Sequence, residues 1–333
     1  MHFLLWPFEQ FSPAVLAALF GSIVGLATMW LVRHDLPACG VSAGRWPAGF
    51  GVLGAILGGA LTWSMLVLHC QQTPEVVPTE FWRAWRVPYH LCLLTLLLSI
   101  TATDLKTYYI LDRTSLVGLA IGLGLATLSG DLQLAHVWVD WNQEIPQLRG
   151  PYLPDWLGQH PHLHGLAWSS AGAACGAAIT GLVREVSARI LAIPALGAGD
   201  VWLMAMIGSF LGWQATLVTF LFAPLLALSI GMVLRLATNR AAIPYGPYLA
   251  GGAVCVLFGW RWIWMAEYRL VAGDVSDPRQ IFAVRRFFGD PVTMGIVLGG
   301  AVVLFVVLLT GLRIYRSWSV PPRTPSSTDV SSR

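Results

Sequence analysis

The chain has 333 residues, of which 56% are hydrophobic and only 11% are charged, and its formal net charge is +3. Soluble domains carry roughly 25% charged residues, so this composition excludes an ordinary soluble protein. The positive charge comes almost entirely from arginines that are spread over the loops. Because they form no dense basic run, we expect no nucleic-acid partner.

Runs of about 20 apolar residues recur along the chain and predict an all-α fold, a polytopic bundle of about nine helices in the lipid bilayer. The third and sixth runs are short for a full crossing. We interpret Trp260, Trp262 and Trp264, at the end of the eighth run, as interfacial anchors. The predicted segments are 12–32, 46–70, 88–103, 114–130, 165–183, 201–213, 215–236, 247–264 and 291–312.

The cysteines and histidines give no pattern typical of a metal site. Five cysteines lie far apart, mostly inside apolar runs, and no CxxC pair occurs, so we interpret them as small hydrophobic residues. The loop 131–164 contains His136, His160, His162 and His164, but no cysteine or carboxylate lies at close ligand spacing. We therefore predict a solvated loop, no metal and no cofactor.

The distribution of basic residues predicts the orientation in the membrane. If the loops alternate from an outside N-terminus, one side receives the larger share of the 20 basic residues. The positive-inside rule makes that side cytoplasmic. Asp104 and Asp200 both fall on it, which predicts a multi-pass protein of the inner membrane with these acids towards the cytoplasm.

Asp200 follows Gly197-Ala198-Gly199 and precedes a nearly pure apolar run. Glycines permit close approach or an unusual backbone angle, which we expect at Gly199. Aspartate is also a preferred N-cap residue, which explains this stretch when it is taken alone.

Asp104 ends the third run, where the helix dipole opposes a carboxylate. Two acids on one membrane face indicate a pair that shares a proton, one acting as base towards water and the other as acid on a scissile carbonyl.

Three motifs resemble those of the prepilin peptidases, membrane-embedded GxGD-type aspartyl proteases that process type IV pilin and pseudopilin precursors. Residues 197–200 are similar to the GxGD motif, and residues 104–112 resemble the first-aspartate motif, a D-L ending in I-P-D. Residues 243–250 resemble the I-P-F-G-P-F-L-A stretch that opens a late helix. The resemblance covers roughly residues 88–260.

The resemblance implies that Asp104 and Asp200 form a catalytic dyad. It further implies that Gly197 and Gly199 provide the bend that aims Asp200, and that Asp112 is a supporting acid at the start of the next helix.

Two departures from the family pattern concern the surroundings of the acids. Trp202 replaces the lysine that the family usually has two residues after its second aspartate, and Leu111 replaces its usual proline. Lys106 is the candidate for supplying a local positive charge instead. We expect these changes to affect substrate preference and rate more than the type of reaction.

Many family members also methylate the new N-terminus with S-adenosylmethionine, and carry two CxxC pairs, thought to hold zinc, in the loop between the first two helices. The corresponding loop here, 33–45, contains Cys39 alone. One thiol cannot build a tetrahedral zinc site, so we expect cleavage without methylation.

The predicted organisation is a reduced two-helix region (1–87), a six-helix peptidase core (88–264), an extracytoplasmic loop with an extra helix (265–312) and a disordered cytoplasmic tail (313–333). The leading interpretation is an aspartyl endopeptidase that removes leader peptides from prepilin or pseudopilin precursors at the cytoplasmic membrane face. The alternatives are a proton- or ion-coupled transporter that uses the same acids, and an inactive scaffold of a pilus or secretion assembly.

Overall fold

The computed structural model describes residues 2–138, 140–145, 150–152, 158–231, 233, 244–269 and 281–318. Helices dominate this part of the chain, so the predicted all-α class is confirmed. The helices are α1 His2–Gln10, α2 Pro13–Ala38, α3 Trp46–Leu66, α4 Glu80–Thr107, α5 Asp112–Ser129, α6 Pro161–Leu191, α7 Ala198–Leu226, α8 Gly246–Trp264, α9 Val284–Gly289 and α10 Pro291–Trp318.

Two antiparallel strand pairs occur in the connections and were not predicted. Strand β1 (Asp140–Ile145) pairs with β2 (Gly150–Tyr152), and β3 (Glu267–Arg269) pairs with β4 (Ile281–Ala283). Because these strands are short and lie between helices, they leave the helical architecture unchanged.

Six helices of the described chain are long and apolar enough to cross a membrane, namely α2, α3, α4, α6, α10 and α7 with its extension to Gly231. The predicted count of about nine is not confirmed. The predicted segments 114–130 and 247–264 are helical as α5 and α8. The third segment is not short, because α4 begins at Glu80. The last helix continues to Trp318, past the predicted end at residue 312.

The predicted break between the sixth and seventh segments lies inside α7. Gly212 has φ 77° and ψ 168°, a conformation that favours glycine and interrupts the helix. The indole of Trp213, just after the break, donates to Val137 O at 2.7 Å, near the start of α6. A π-helical turn then ends at Gly231, beside the Tyr248 hydroxyl and the start of α8. The two halves of α7 therefore run in opposite directions.

The core is centred on α4, whose side chains are buried over most of its length. Leucines of α4 pack against the first half of α7 and against α8 in one continuous cluster. In a membrane such helices associate by close packing, because lipid is as apolar as leucine. Glycines make this possible between α6 and α7, where Gly172 and Gly208 each lie against the backbone of the other. This packing fixes the ends of α4 and α7, where Asp104 and Asp200 lie.

Candidate active site

The two acids predicted as a pair lie at neighbouring helix ends. Asp104 is in the last turn of α4 and Asp200 is in the first turn of α7. Both residues are buried, with exposed fractions of 5% and 7%. Their carboxyls are close enough to interact electrostatically. The structure thus brings together two acids that are 96 residues apart in the sequence.

A tight turn ends α4 directly after Asp104. Tyr108 adopts the left-handed conformation, with φ 56° and ψ 29°, and its amide donates to Asp104 O at 2.9 Å. This is an uncommon conformation for a tyrosine. The turn directs the chain back towards Ile110, which is buried beside the two acids.

Gly197, at the N-cap of α7, begins the helix that carries Asp200. Its amide donates to Asp200 Oδ2 at 2.8 Å. Asp200 therefore caps the helix from its third position, and not from the N-cap position that aspartate prefers. This hydrogen bond holds one carboxylate oxygen in a fixed orientation, so the capping interpretation and the functional interpretation of Asp200 are compatible.

Two glycines allow close packing around the acids. A Cβ at Gly199 would lie 2.8 Å from Ile110 Cβ, and one at Gly246 would collide with Asp104 Oδ2. The Gly246 amide also donates a hydrogen bond to the Asp104 carboxyl. The start of α8, which belongs to the third predicted motif, therefore lies against Asp104. Residue 243 of that motif lies outside the described residues.

The two carboxyls have different electrostatic surroundings. Asp200 lies at a helix N-terminus, where the dipole stabilises negative charge, and Arg184 contributes a further favourable charge. The Arg184 guanidinium is held nearby by its hydrogen bond to Leu196 O at 2.9 Å. Asp104 lies at a helix C-terminus, where the dipole opposes negative charge. Of the two carboxyls, Asp200 is therefore the one at which the surroundings stabilise negative charge better.

Tyr245 borders the same site. Burial, and then the nearby charge of Asp200, raise the pKa of Tyr245 to about 12. Its phenol therefore stays protonated at neutral pH. This hydroxyl is absent from the phenylalanine of the stretch that residues 243–250 resemble.

The other predicted site residues lie at the edge of this arrangement. Asp112 begins α5 and is exposed. Lys106 donates to Ser42 O and lies over the Trp46 ring, so it ties the end of α4 to the loop before α3. Trp202 is 41% exposed on α7.

A third acid, which the sequence analysis did not single out, is buried at the same end of the bundle. Asp35 of α2 is 3% exposed, and its carboxylate accepts from Arg113 Nη2 at 2.8 Å, from Ser99 Oγ at 2.9 Å and from Thr114 Oγ1 at 3.4 Å. His34 Nδ1 lies 3.6 Å away. An acid at the end of the first apolar run is the signal that could have revealed it.

The prediction of a solvated histidine loop is wrong for His164, which is buried, and for the partly buried His136, whereas His160 and His162 are exposed as predicted. His164 is buried and lies in α6, where Gln133 and the Val137 amide contact its ring nitrogens. His136 stacks on it, and burial lowers the pKa of His136. Residues 136 and 137 are held against α7, because the Gln214 amide donates to His136 O and the Trp213 indole donates to Val137 O. Within the described ranges, no cluster of three or more histidine, cysteine or acidic residues could hold a metal.

The fold and the site together define a polytopic membrane protein with a buried carboxyl pair at one end of its helix bundle. Residues 156–232 match a family model described as the Type IV leader peptidase family. The matched range contains Asp200 and both glycines of its motif, whereas Asp104 lies before it.

Several known proteins are similar to this chain. The prepilin leader peptidase/N-methyltransferase of Myxococcus xanthus (strain DK1622) is 32% identical over 136 residues, covering 40% of this chain and 38% of that protein. The protein of the same name from Pseudomonas putida is 32% identical over 141 residues, with coverages of 38% and 46%. A third, from Pectobacterium carotovorum, is 33% identical over 167 residues, with coverages of 49% and 48%.

These alignments span less than half the length of each relative. No solved structure matches the chain. The family match and the relatives confirm the predicted resemblance to the prepilin peptidases.

Proposed function

We propose that this chain is a membrane-embedded aspartyl endopeptidase that removes the leader peptide of type IV prepilin-like or pseudopilin precursors at the cytoplasmic membrane face. The observation that carries the proposal is the pair of buried carboxyls, Asp104 and Asp200, at adjoining helix ends. A carboxyl pair of this kind provides an acid and a base within one site.

The electrostatic difference between the carboxyls supports the following roles. The Asp200 carboxylate takes a proton from water, whose oxygen bonds to the scissile carbonyl carbon while Asp104 gives its proton to the carbonyl oxygen. When the intermediate collapses, the C–N bond breaks, the leaving nitrogen takes the proton held by Asp200, and Asp104 regains a proton from the hydroxyl that becomes the new carbonyl. Both carboxyls return to their starting state.

The position of the site supports a substrate that is part water-soluble and part membrane-embedded. Asp104 lies in the last turn of α4, which is long enough to cross the membrane, and Asp200 lies in the first turn of the apolar helix α7. A precursor with a charged leader and a following hydrophobic segment would place the junction between them at this level. The exposed Trp202 lies on the same helix as Asp200 and is available to contact the hydrophobic part.

The test is co-expression with a candidate prepilin precursor, with cleavage scored by a shift on a gel. Asp104→Asn and Asp200→Asn should each lower cleavage by about 10³-fold or more, because each removes an ionisable member of a pair that acts as a unit. Glu185→Gln is the matched control, since Glu185 is an exposed acid paired with Arg189. Both aspartate variants should accumulate in the membrane at the normal level.

The same experiment separates the alternatives. Near-normal cleavage by either aspartate variant would contradict the dyad. A transporter or an inactive scaffold would leave every precursor uncut in the wild type, even though both acids are present.

A further inference from the structure

The end of α6 lies against the segment that leads into α7. Ala192, directly after α6, adopts the left-handed conformation with φ 60° and ψ 11°, and the chain reverses there. Residues 195–197 consequently run back beside the last turns of α6. Two side chains of α6, Arg184 and Ser187, contact this segment. They share one face of the helix, because residues three apart in a helix are neighbours.

Ser187 fixes the first residue of this segment. It is fully buried, and its Oγ accepts a hydrogen bond from the Ala195 amide at 2.8 Å and donates one to Arg184 O at 2.9 Å. A hydroxyl that donates and accepts at once has a defined orientation. The start of the segment is therefore held at one place on α6.

The peptide group that joins Leu196 to Gly197 lies between a cation and an anion. Its carbonyl oxygen, Leu196 O, accepts from Arg184 Nη1 at 2.9 Å. Its amide, Gly197 N, donates to Asp200 Oδ2 at 2.8 Å. Among the ion pairs of the described residues, none joins Arg184 directly to Asp200. The guanidinium therefore acts on the carboxylate through this peptide group and through space.

This arrangement stabilises a negative charge on Asp200. A peptide group has a dipole with its oxygen negative and its N–H positive, so a cation at the oxygen and an anion at the N–H are both favourable. Arginine keeps its charge across the working range of pH. Because hydrogen bonds in a chain polarise one another, the guanidinium makes the Gly197 amide a stronger donor to the carboxylate.

We propose that Arg184 and Ser187 are positioning residues for the Asp200 carboxylate. Ser187 holds the segment in place, and Arg184 orients and stabilises the carboxylate through the peptide group between them. The inference rests on the proposed function, in which the ionised Asp200 takes a proton from water. Arg184 and Ser187 lie outside all three motifs of the sequence analysis.

The charge of Arg184 is set against two other ionisable groups near Asp200. Asp104 acts on Asp200 from α4, and Tyr245 acts on it from the N-cap of α8. Both oppose the charge of Asp200 when they are ionised, whereas Arg184 favours it. Loss of the Arg184 charge should therefore make Asp200 easier to protonate. Cleavage should then begin to fall at a higher pH as the medium is acidified.

The test uses the full-length protein, purified in detergent, and a prepilin precursor. Initial rates give kcat and KM, and kcat is measured across pH. Arg184→Gln keeps an N–H donor for Leu196 O but removes the charge. It should lower kcat about tenfold, less than the roughly 10²-fold loss from removing a group that touches the transition state. KM should change little, and the acidic limb of the pH profile should move to higher pH.

Three further variants separate charge from structure. Arg184→Lys retains the cation and should keep the acidic limb at its wild-type position. Ser187→Ala should lower kcat without moving that limb, because it changes no charge. Arg189→Gln is the matched control, since Arg189 lies on the same helix in an exposed pair with Glu185, and it should leave kcat and the limb unchanged.

Two results would overturn the inference: a wild-type kcat and acidic limb in Arg184→Gln, or an equal shift of the limb in Arg189→Gln. If Arg184→Gln does not accumulate, a wild-type kcat in Ser187→Ala, or an Arg184→Lys variant as inactive as Asp200→Asn, overturns it. A wild type that leaves the precursor uncut would refute the proposed function and this inference with it. An unaffected Arg184→Gln beside an inactive Asp200→Asn would refute the inference alone.

Discussion

Gly197 and Gly199 lie on either side of Ala198, yet a methyl group would meet different surroundings at the two positions. At Gly199 it would lie 2.8 Å from Ile110 Cβ, closer than packed carbon atoms approach. At Gly197 it would lie 3.3 Å from Asp200 Oδ2, which is tight but tolerable. Neither residue has a positive φ. Glycine is therefore needed at position 199 because Ile110 packs closely against its backbone. The unusual backbone angle that the sequence analysis also considered does not occur there.

Gly199→Ala should lower the rate of leader cleavage by about 10²-fold, because Ile110 must move and the neighbouring acids move with it. Gly199→Val should be at least as severe. Gly197→Ala should lose much less activity. The measurement is initial cleavage rate in membranes containing equal amounts of each variant.

Gly124→Ala is the matched control, since nothing lies within 4 Å of a Cβ at Gly124 of α5. Full activity in Gly199→Val would contradict the packing argument and reduce this motif to a helix cap.

At the scale of the elements, the buried Asp35 connects α2 to both α4 and α5. Its partners Ser99 and Arg113 belong to these two helices, whose connection contains Ile110. The ion pair with Arg113 therefore holds the N-terminal helices against the part of the core that positions the acids. Removing one partner of a fully buried pair costs roughly 3–5 kcal/mol. The cost here is smaller for Arg113, whose side chain is 49% exposed.

Arg113→Ala should lower the thermal unfolding temperature of the purified protein, because it leaves the buried Asp35 carboxylate with hydroxyl donors and no full charge partner. The double variant Asp35→Asn/Arg113→Ala should be more stable than the sum of the two single effects predicts, since it removes both charges. Arg189→Ala, which breaks the exposed pair with Glu185, should change little. Strictly additive effects would show that Asp35 and Arg113 are not coupled.

At the scale of the whole molecule, the reversal at Gly212 determines how the chain is threaded. Because the two halves of α7 run in opposite directions, the segments before and after α7 lie at the same end of the bundle and therefore on one side of the membrane. The positive-inside rule predicts that this side is the cytoplasm.

Truncated chains fused to green fluorescent protein after Ala195 and after Gly246 should therefore both fluoresce, because this reporter folds in the cytoplasm. A fusion after Leu132, which follows α5, is the control expected to stay dark. Fluorescence after Ala195 but not after Gly246 would mean that α7 crosses once, and would contradict the reversal.

The chain should also cleave without methylating. The segment between α2 and α3 contains Cys39 as its one cysteine, so the four thiolates of a closed zinc site are not available there. Purified protein incubated with prepilin precursor and methyl-labelled S-adenosylmethionine should release an unlabelled product. Label on the processed N-terminus that depends on this protein would refute the prediction, and a methylating relative serves as the positive control.

The sequence by itself was sufficient for features that depend on local patterns. The length and purity of the apolar runs indicated a helical membrane protein, because a spanning helix must satisfy its backbone internally and present apolar side chains to lipid. Glycines beside Asp200 marked a helix start, and the three motifs placed Asp104 and Asp200 at helix ends. The break between the sixth and seventh segments was also predicted, within a few residues of Gly212.

Only the tertiary structure decided which tryptophans and which charged residues face the protein interior. Trp260 and Trp264, predicted as interfacial anchors, are buried, and their indoles donate to Leu134 O and to Glu75, whereas Trp262 of the same run is exposed. Hydropathy cannot separate these cases, because lipid and protein interior are both apolar. The deciding partners are distant in sequence: 126 residues separate Trp260 from Leu134. The pairing of Asp35 with Arg113, across 78 residues, was hidden for the same reason.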